Sequence, residues 1–513
     1  MDKSLFVKVR NGESLDTAAL IDASFDDFKN AVISATVSGG RVALLCAIPE
    51  AAFAGCKKTS GDHLKLLCVI ARDEEGILEI VSTAVDTAFP SLTLQCPQVH
   101  LFEREIREQW NCTIREHPWM KPVRFHESYG VGAQDHREPS IGTMAFYRLH
   151  GKEVHEVAVG PVHAGVIEPG HFRFQCHGEN VYHLEISLGY QHRGIERAMI
   201  SGTSEIRRLC LAETMAGDST IAHATAYVQA IESISKIVAP PRALALRGIA
   251  LELERLANHT GDLGALAGDV GFLPTASFCG RIRGDFLNMT ALMCGSRFGR
   301  GLIVSGGAGF DIDDNRAWQL SQRLDAALCD ITGAAELLFD TPSVMARFEN
   351  IGRISKQVCR DLGIVGPAAR ASGIRKDVRS DFPSGIYNFN HIPASVWESG
   401  DVFARAFVRW LEIQQSITFI KSQLQALPSG DIVSGAQKPP PPGKMAVSLI
   451  EGWRGEVCHL AMTGDSGDLS YYKVVDPSFH NWMGLAMAMR GQQISDFPLC
   501  NKSFNLSYCG HDL

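Results

Sequence analysis

The sequence predicts an α+β protein: a small N-terminal α/β domain followed by a mainly helical domain with antiparallel β-structure at its periphery. Three observations carry this. Residues 1–125 mix apolar runs of β type with one stretch at helical spacing. Residues 205–427 hold long segments whose apolar positions recur at helical intervals. Residues 151–200 and 445–475 are short, β-like and punctuated by turns. With 513 residues, 45% apolar and 21% charged, the chain can bury one large core or several ordinary ones and is no disordered tract.

The elements follow in order. Asp26 to Ser38 places Phe28, Val32, Ile33 and Val37 on one helical side. Arg41–Ile48, His63–Ala71 and Glu75–Val85 read as strands. Val99–Trp110 reads as a charged amphipathic helix with Glu103, Arg104, Glu105 and Arg107. Residues 126–150 are rich in Gly, His and Pro without periodicity and are assigned as a linker. The second domain then runs over 151–513. Gly160-Pro161, Pro169-Gly170 and Gly189 break its first strands. Ala243–Ala267 carries Leu246, Ile249, Leu253 and Leu256 on one stripe. Asn315–Leu338, Ser343–Asp361 and Val402–Leu427 are further helices. Pro428–Gly443, ending in four prolines, is a surface loop with polyproline stiffness.

Charge and cysteine usage exclude several functions. Lys+Arg 49 against Asp+Glu 57 gives a net charge of −8, so no basic field points to nucleic acid. The best apolar stretch, Val42–Cys56, is interrupted by Pro49 and Glu50 and is too short to span a bilayer; any membrane association is expected to be peripheral. The start, MDKSLFVKVRNGES, holds no apolar signal core, so the chain is expected to be cytosolic with reduced thiols. There are 14 cysteines, no two closer than nine residues, and no C-x-x-C. Clusters and structural zinc draw on close pairs of thiolates, so no intrinsic metal or cluster is expected.

Four constellations could carry chemistry. Eleven of the 18 histidines fall between His117 and His223, a polar, titratable region, although a surface loop explains any one of them equally well. Within it, Glu168 and His171 flank the Pro169-Gly170 turn and could pass protons; a structural ion pair fits the spacing as well. In the second, Ala216, Ser219 and His223 would share one face of a helix, with Asp218 on the adjoining face. In the third, Gly366-Pro-Ala-Ala-Arg-Ala-Ser-Gly-Ile374 would set Arg370 as a fixed cation among glycines that permit close approach. In the fourth, Asp476-Pro477 suits a turn or a helix start. Gly306-Gly307-Ala308-Gly309 lacks the rest of a phosphate cradle.

Taken together, GPVHAGVIEPGHFRF (160–174), LGYQHRGIE (188–196), ELERLANHTGDLG (252–264), GPAARASGI (366–374), EGWRGEV (451–457), DPSFHNW (476–482) and DFPLCNKSFNLSY (496–508) resemble one superfamily. It comprises the large subunits of membrane-bound group 4 [NiFe] hydrogenases of the formate hydrogenlyase type and the quinone-site large subunit of respiratory complex I. FPS (89–91), FEREIREQWNC (102–112) and HP (117–118) make the N-terminal domain similar to the small complex I subunit fused upstream in formate hydrogenlyase large subunits.

The resemblance implies a peripheral oxidoreductase subunit on the cytoplasmic face of the inner membrane, with the vocabulary of an NADH dehydrogenase (quinone), NAD binding included. It implies a small partner subunit bearing a [4Fe–4S] cluster, and membrane partners of antiporter-like and quinone-channel type. Catalytic family members hold Ni–Fe through C-G-x-C-x-x-x-H and D-P-C-x-x-C. Here those four cysteine positions carry Ala216, Ser219, Ser478 and Asn481, while Gly217, His223, Asp476 and Pro477 are retained. Thiolates are the donors such a centre needs, so no nickel site is expected. The complex I tyrosine that meets the quinone headgroup corresponds to Gly217. A quinone in the vacated space would lie among His163, Glu168, His171, Asp218, His223 and Arg370. The expected role is electron transfer to quinone or redox-coupled ion movement; the alternatives are a non-catalytic core subunit and a hydrogenase with relocated ligands. Residues 482–513, trimmed in metal-bearing members, are expected to stay and pack.

Overall fold

The computed structural model describes residues 5–56, 63–130, 140–163, 168–435 and 438–513. In the N-terminal unit, Arg41–Pro49, Leu64–Arg72 and Ile77–Val85 form an antiparallel sheet extended by Val7–Val9, with Asp22–Ala23 added in parallel. Val, Ile and Leu dominate these strands and are buried on both faces, so the runs are continuous rather than alternating. The helix Phe25–Val37 packs on the sheet; Ser24 starts it, its Oγ accepting from Asp27 N at 3.1 Å. Glu75 and Gly76 belong to the turn before the third strand.

Ser14–Asp16 leaves this unit to pair with Lys444–Gly452, the edge of a sheet completed by Gly455–Thr463 and Leu469–Val475. Met445, Val447, Leu449, Cys458 and Leu460 therefore share one apolar core with Val42, Leu44 and Leu67. The described parts of 126–150 contain no helix or strand; residues 131–139 of that stretch lie outside the described residues, as do Ala164–Ile167 of the first glycine-rich motif.

The helical body consists of Thr220–Ser235, Pro241–Asp269, Leu273–Cys294, Asp314–Phe339 and Val402–Gln425 around a second core. Pro241 sits in the first turn, where its missing N–H is harmless. Asp313 and Asp401 cap their helices by accepting from Arg316 N at 2.7 Å and Ala404 N at 2.9 Å. The expected helix over Ser343–Asp361 is two short ones, Pro342–Phe348 and Lys356–Leu362: Asn350 and Gly352 take left-handed backbone angles between them. Val154–Val159, His171–His177 and Asn180–Ser187 form a separate antiparallel sheet. Among the described residues no helix is long and apolar enough to cross a membrane.

Candidate functional site

The site forms where the turn before Thr220–Ser235, the helix Pro477–Ala488, the 451–457 hairpin turn and the C-terminal tail converge. Ala216, Gly217, Asp218 and Ser219 do not lie on a helix, contrary to their helical spacing; they form the turn that precedes it. The reason is tertiary. The Glu254 carboxylate, from the neighbouring helix, accepts from Ile221 N at 2.7 Å and Ala222 N at 3.2 Å, and so fixes the first turn at Thr220. Burial, followed by the Asp218 charge among the groups that raise it, pushes the Glu254 carboxyl up to about 8.

His223 is fully buried and bridges two elements. Its Nε2 is 3.1 Å from Asp476 Oδ2 and its Nδ1 is 3.0 Å from His459 Nε2; His459 Nδ1 in turn lies 2.6 Å from the Tyr472 hydroxyl. Asp476 also caps its helix, accepting from Ser478 N at 2.8 Å. Burial would raise the Asp476 carboxyl, but the His223 hydrogen bond and the His223 and Arg454 charges hold it below its ordinary range. Burial, then the His223 charge, keeps His459 well below the usual imidazole range.

The four positions expected from the sequence to stand in place of metal-binding cysteines have these surroundings. Ala216 is buried. Ser219 Oγ lies 3.4 Å from the Arg454 guanidinium, which binds both Asp218 oxygens at 2.5 and 2.8 Å. Ser478 Oγ accepts from Ser507 N at 2.8 Å. Asn481 makes a pair of bonds to the Val365 backbone, accepting from its N at 3.0 Å and donating to its O at 3.1 Å. The tail packs across this ground. Arg454 Nε donates to Asn505 O at 2.6 Å, and a Cβ on Gly510 would lie 2.6 Å from the Asp476 carboxylate. Asp512 accepts from Gly189 N at 2.8 Å and Gln191 N at 3.0 Å.

The other expected site residues are divided. Glu168 joins the site: Cys509 N donates to it at 3.4 Å, and burial, followed by the Asp218 charge, raises its carboxyl against the pull of Arg454. His163 is exposed. His171 rests against Phe146 at 5.0 Å between rings and accepts from Arg173 Nε at 3.3 Å; burial, then the Arg173 charge, lowers its pKa. Arg370 is not hydrogen-bonded to any of them. It is fully buried, donating to Glu412 Oε1 at 2.9 Å and Glu451 Oε1 at 2.8 Å. Arg454 supplies the cation instead. It stands inside EGWRGEV, a quoted motif, and a charged residue between glycines in a hairpin turn was the available signal. His459 and Tyr472, in two neighbouring apolar strands, gave none. Among the described residues no group of three His, Cys, Asp or Glu side chains is arranged to hold a metal ion.

Comparison with known proteins identifies the family of the chain. The family described as respiratory-chain NADH dehydrogenase, 49 Kd subunit, matches residues 269–448. The carbon monoxide-induced hydrogenase of Rhodospirillum rubrum is 34% identical over 352 residues, 68% of this chain and 96% of that protein. The chain belongs to the large-subunit family shared by group 4 hydrogenases and respiratory complex I. The complex I side of the family is represented by NADH-quinone oxidoreductase subunit 4 of Thermus thermophilus, 30% identical over 371 residues, 67% of this chain and 90% of that protein. A chain of the membrane-bound sulfane sulfur reductase, an archaeal respiratory membrane complex, has the same fold: TM-score 0.67 at 22% identity, covering 71% of this chain and 99% of that one.

Proposed function

We propose that the chain is the large subunit of a complex I-like membrane oxidoreductase that works without a nickel–iron centre. It would take electrons from a [4Fe–4S] cluster in a small partner subunit and pass them to quinone, or couple their arrival to ion movement across membrane partners, at the cytoplasmic face of the membrane. The observation that carries this is the donor set. Ala216 offers no ligand, Ser219 and Ser478 are hard donors already hydrogen-bonded, and Asn481 is spent on Val365. These residues do not fit a centre that needs four thiolates. Quinone carbonyl oxygens accept hydrogen bonds. His163 and His171 are the donors we assign to them, with Glu168 and His223 as the neighbouring proton-carrying groups; the Arg454 guanidinium is already bonded to Asp218 and Asn505 and serves to hold the turn.

A second reading, a non-catalytic core that holds neighbouring subunits together, is favoured by the tail, which packs over Asp476 and Ser478. Purification of the intact complex, with nickel analysis and a quinone-reduction assay, tests both. Quinone reduction without stoichiometric nickel, impaired by His223→Gln, supports the first reading. Stoichiometric nickel overturns it, and a complex whose turnover ignores His223→Gln supports the second.

A further inference from the structure

Behind the hairpin turn that carries Arg454 lies a set of buried charges to which neither reading gives a role. Four carboxylates, Glu252, Asp377, Glu412 and Glu451, meet three guanidiniums, Arg255, Arg370 and Arg379, and every one of these side chains is at most 3% exposed. We infer that this cluster is a proton-binding site in which the Glu451 carboxyl takes up a proton at neutral pH and releases it in more basic surroundings. The inference depends on neither nickel nor quinone.

Four negative groups against three positive ones leave one charge uncompensated in a buried site, where an unpaired carboxylate is strongly disfavoured. The geometry selects which group takes the proton. Glu252 receives Arg255 Nε at 3.0 Å, Arg379 Nη1 at 3.1 and 3.2 Å, the Tyr387 hydroxyl at 2.8 Å and Ser416 Oγ at 2.5 Å. Asp377 is chelated by Arg379 through Nε at 3.0 Å and Nη2 at 2.6 Å. Glu412 has Arg370 Nε at 2.9 Å, Arg255 Nη1 at 3.4 Å and His259 Nε2 at 2.9 Å. Glu451 has one guanidinium nitrogen, Arg370 Nη1 at 2.8 Å, and one neutral donor, Val378 N at 3.0 Å. It is the carboxylate with the least cationic compensation.

The surrounding charges do not cancel the excess. Lys376 pairs with Asp73, Arg41 with Glu456 at 2.7 Å and Arg409 with Asp262 at 2.6 Å; Asp381, which accepts from Asp377 N at 2.8 Å, adds a further carboxyl. His259 is a poor alternative holder. Its Nδ1 is buried without a hydrogen-bond partner, so a second ring proton would be stranded there. Burial, followed by the Asp377 charge, pushes the Glu451 carboxyl up to about 7. Glu252, Asp377 and Glu412 are pushed up by burial too, but their arginines bring them below the ordinary range. Access to water exists at the edge: Tyr387, bonded to Glu252, lines a cleft of about 750 Å³ between the N-terminal unit and the helices.

Infrared difference spectroscopy of the full chain across about pH 5 to 9 tests this, since that window brackets the titration. The expected result is a carboxylic-acid carbonyl band that disappears with a midpoint near 7 and is missing from Glu451→Gln. A separate component from Glu254, whose carboxyl lies at about 8, should remain in that variant. Persistence of the component near 7 in Glu451→Gln overturns the assignment. In the unaltered chain the same component must shift with carboxyl-¹³C glutamate and stay in place with ¹³C aspartate, which separates it from Asp381. Failure of either isotope result overturns the assignment even where the variant does not fold.

Discussion

Gly366 and Gly455 meet face to face: a methyl group on Gly366 would stand 2.6 Å from the Gly455 Cα, and one on Gly455 would stand 2.7 Å from the Gly366 Cα. Two sequence motifs whose glycines at 366 and 455 lie 89 positions apart therefore touch at those glycines, and this contact sets the Arg370 segment against the hairpin turn that carries Arg454.

Both glycines also have positive φ, 68° and 129°. Gly366→Ala and Gly455→Ala should each lower the free energy of unfolding by about 2–4 kcal/mol, from backbone strain and overpacking together. Gly39 is the control: its φ is 95° with nothing within 4 Å of an added Cβ. Gly39→Ala should therefore lose only the backbone part, about 1 kcal/mol. Denaturant titration of the three variants checks this, and equal losses in all three would refute the contact.

Asn481→Ala removes both partners of the Val365 backbone in a buried setting. A stranded N–H and C=O should together lower stability by about 2–4 kcal/mol, while Asn481→Asp, which can still accept from Val365 N, should recover part of it. A neutral Asn481→Ala would mean that this position is spare room. The measurement is the unfolding midpoint of the chain and both variants.

Much of this fold could be read from the sequence, and the reasons are local. Val42–Ile48 is apolar throughout because both its faces are covered, and its shortness and the turn residues that bound it favour a strand over a buried helix. The stripe Leu246, Ile249, Leu253 and Leu256 repeats at helical intervals over a long helix. What escaped depends on partners distant in sequence. The Thr220 helix start is fixed by Glu254, so the spacing of Ala216, Ser219 and His223 suggested one helix too long. Arg370 lies in a conspicuous motif, yet Glu412, in an unremarkable helix, decides where its charge points. Arg454 reaches Asp218 across 236 positions, which no local pattern encodes.

His480 offers a pH test. It is 5% exposed, and burial, followed by the Arg41 charge, lowers its pKa from 6.5 to about 3. The unfolded chain therefore binds a proton at this residue below about pH 6.5 that the folded chain refuses. Stability associated with His480 is full above 6.5 and is lost as pH falls toward about 3. Relative to His480→Phe, the chain should lose about 1.4 kcal/mol for each pH unit below about 6.5. Paired denaturant titrations at several pH values measure the difference and cancel the other titrating groups. A flat difference would mean that His480 is protonated in the fold.

The tail gives the last prediction. Leu506, Tyr508 and Leu513 are at most 4% exposed, Asp512 holds Gly189 N and Gln191 N, and Ser507 N is the donor to Ser478 Oγ. Removing residues 506–513 should lower the unfolding midpoint by several degrees, because fully burying each large apolar side chain contributes about 1.5–3 kcal/mol. Hydrogen exchange should also accelerate at Gly189 and Gln191, whose amide protons lose their acceptor, while the strands Leu64–Arg72 and Ile77–Val85 keep their protection. Asp512→Asn separates the two contributions. It keeps the tail and its apolar contacts but weakens the charge-assisted bonds, so exchange at 189 and 191 should rise with little change in the midpoint. If truncation leaves both the midpoint and the exchange at 189 and 191 unchanged, the tail is not part of the folded core.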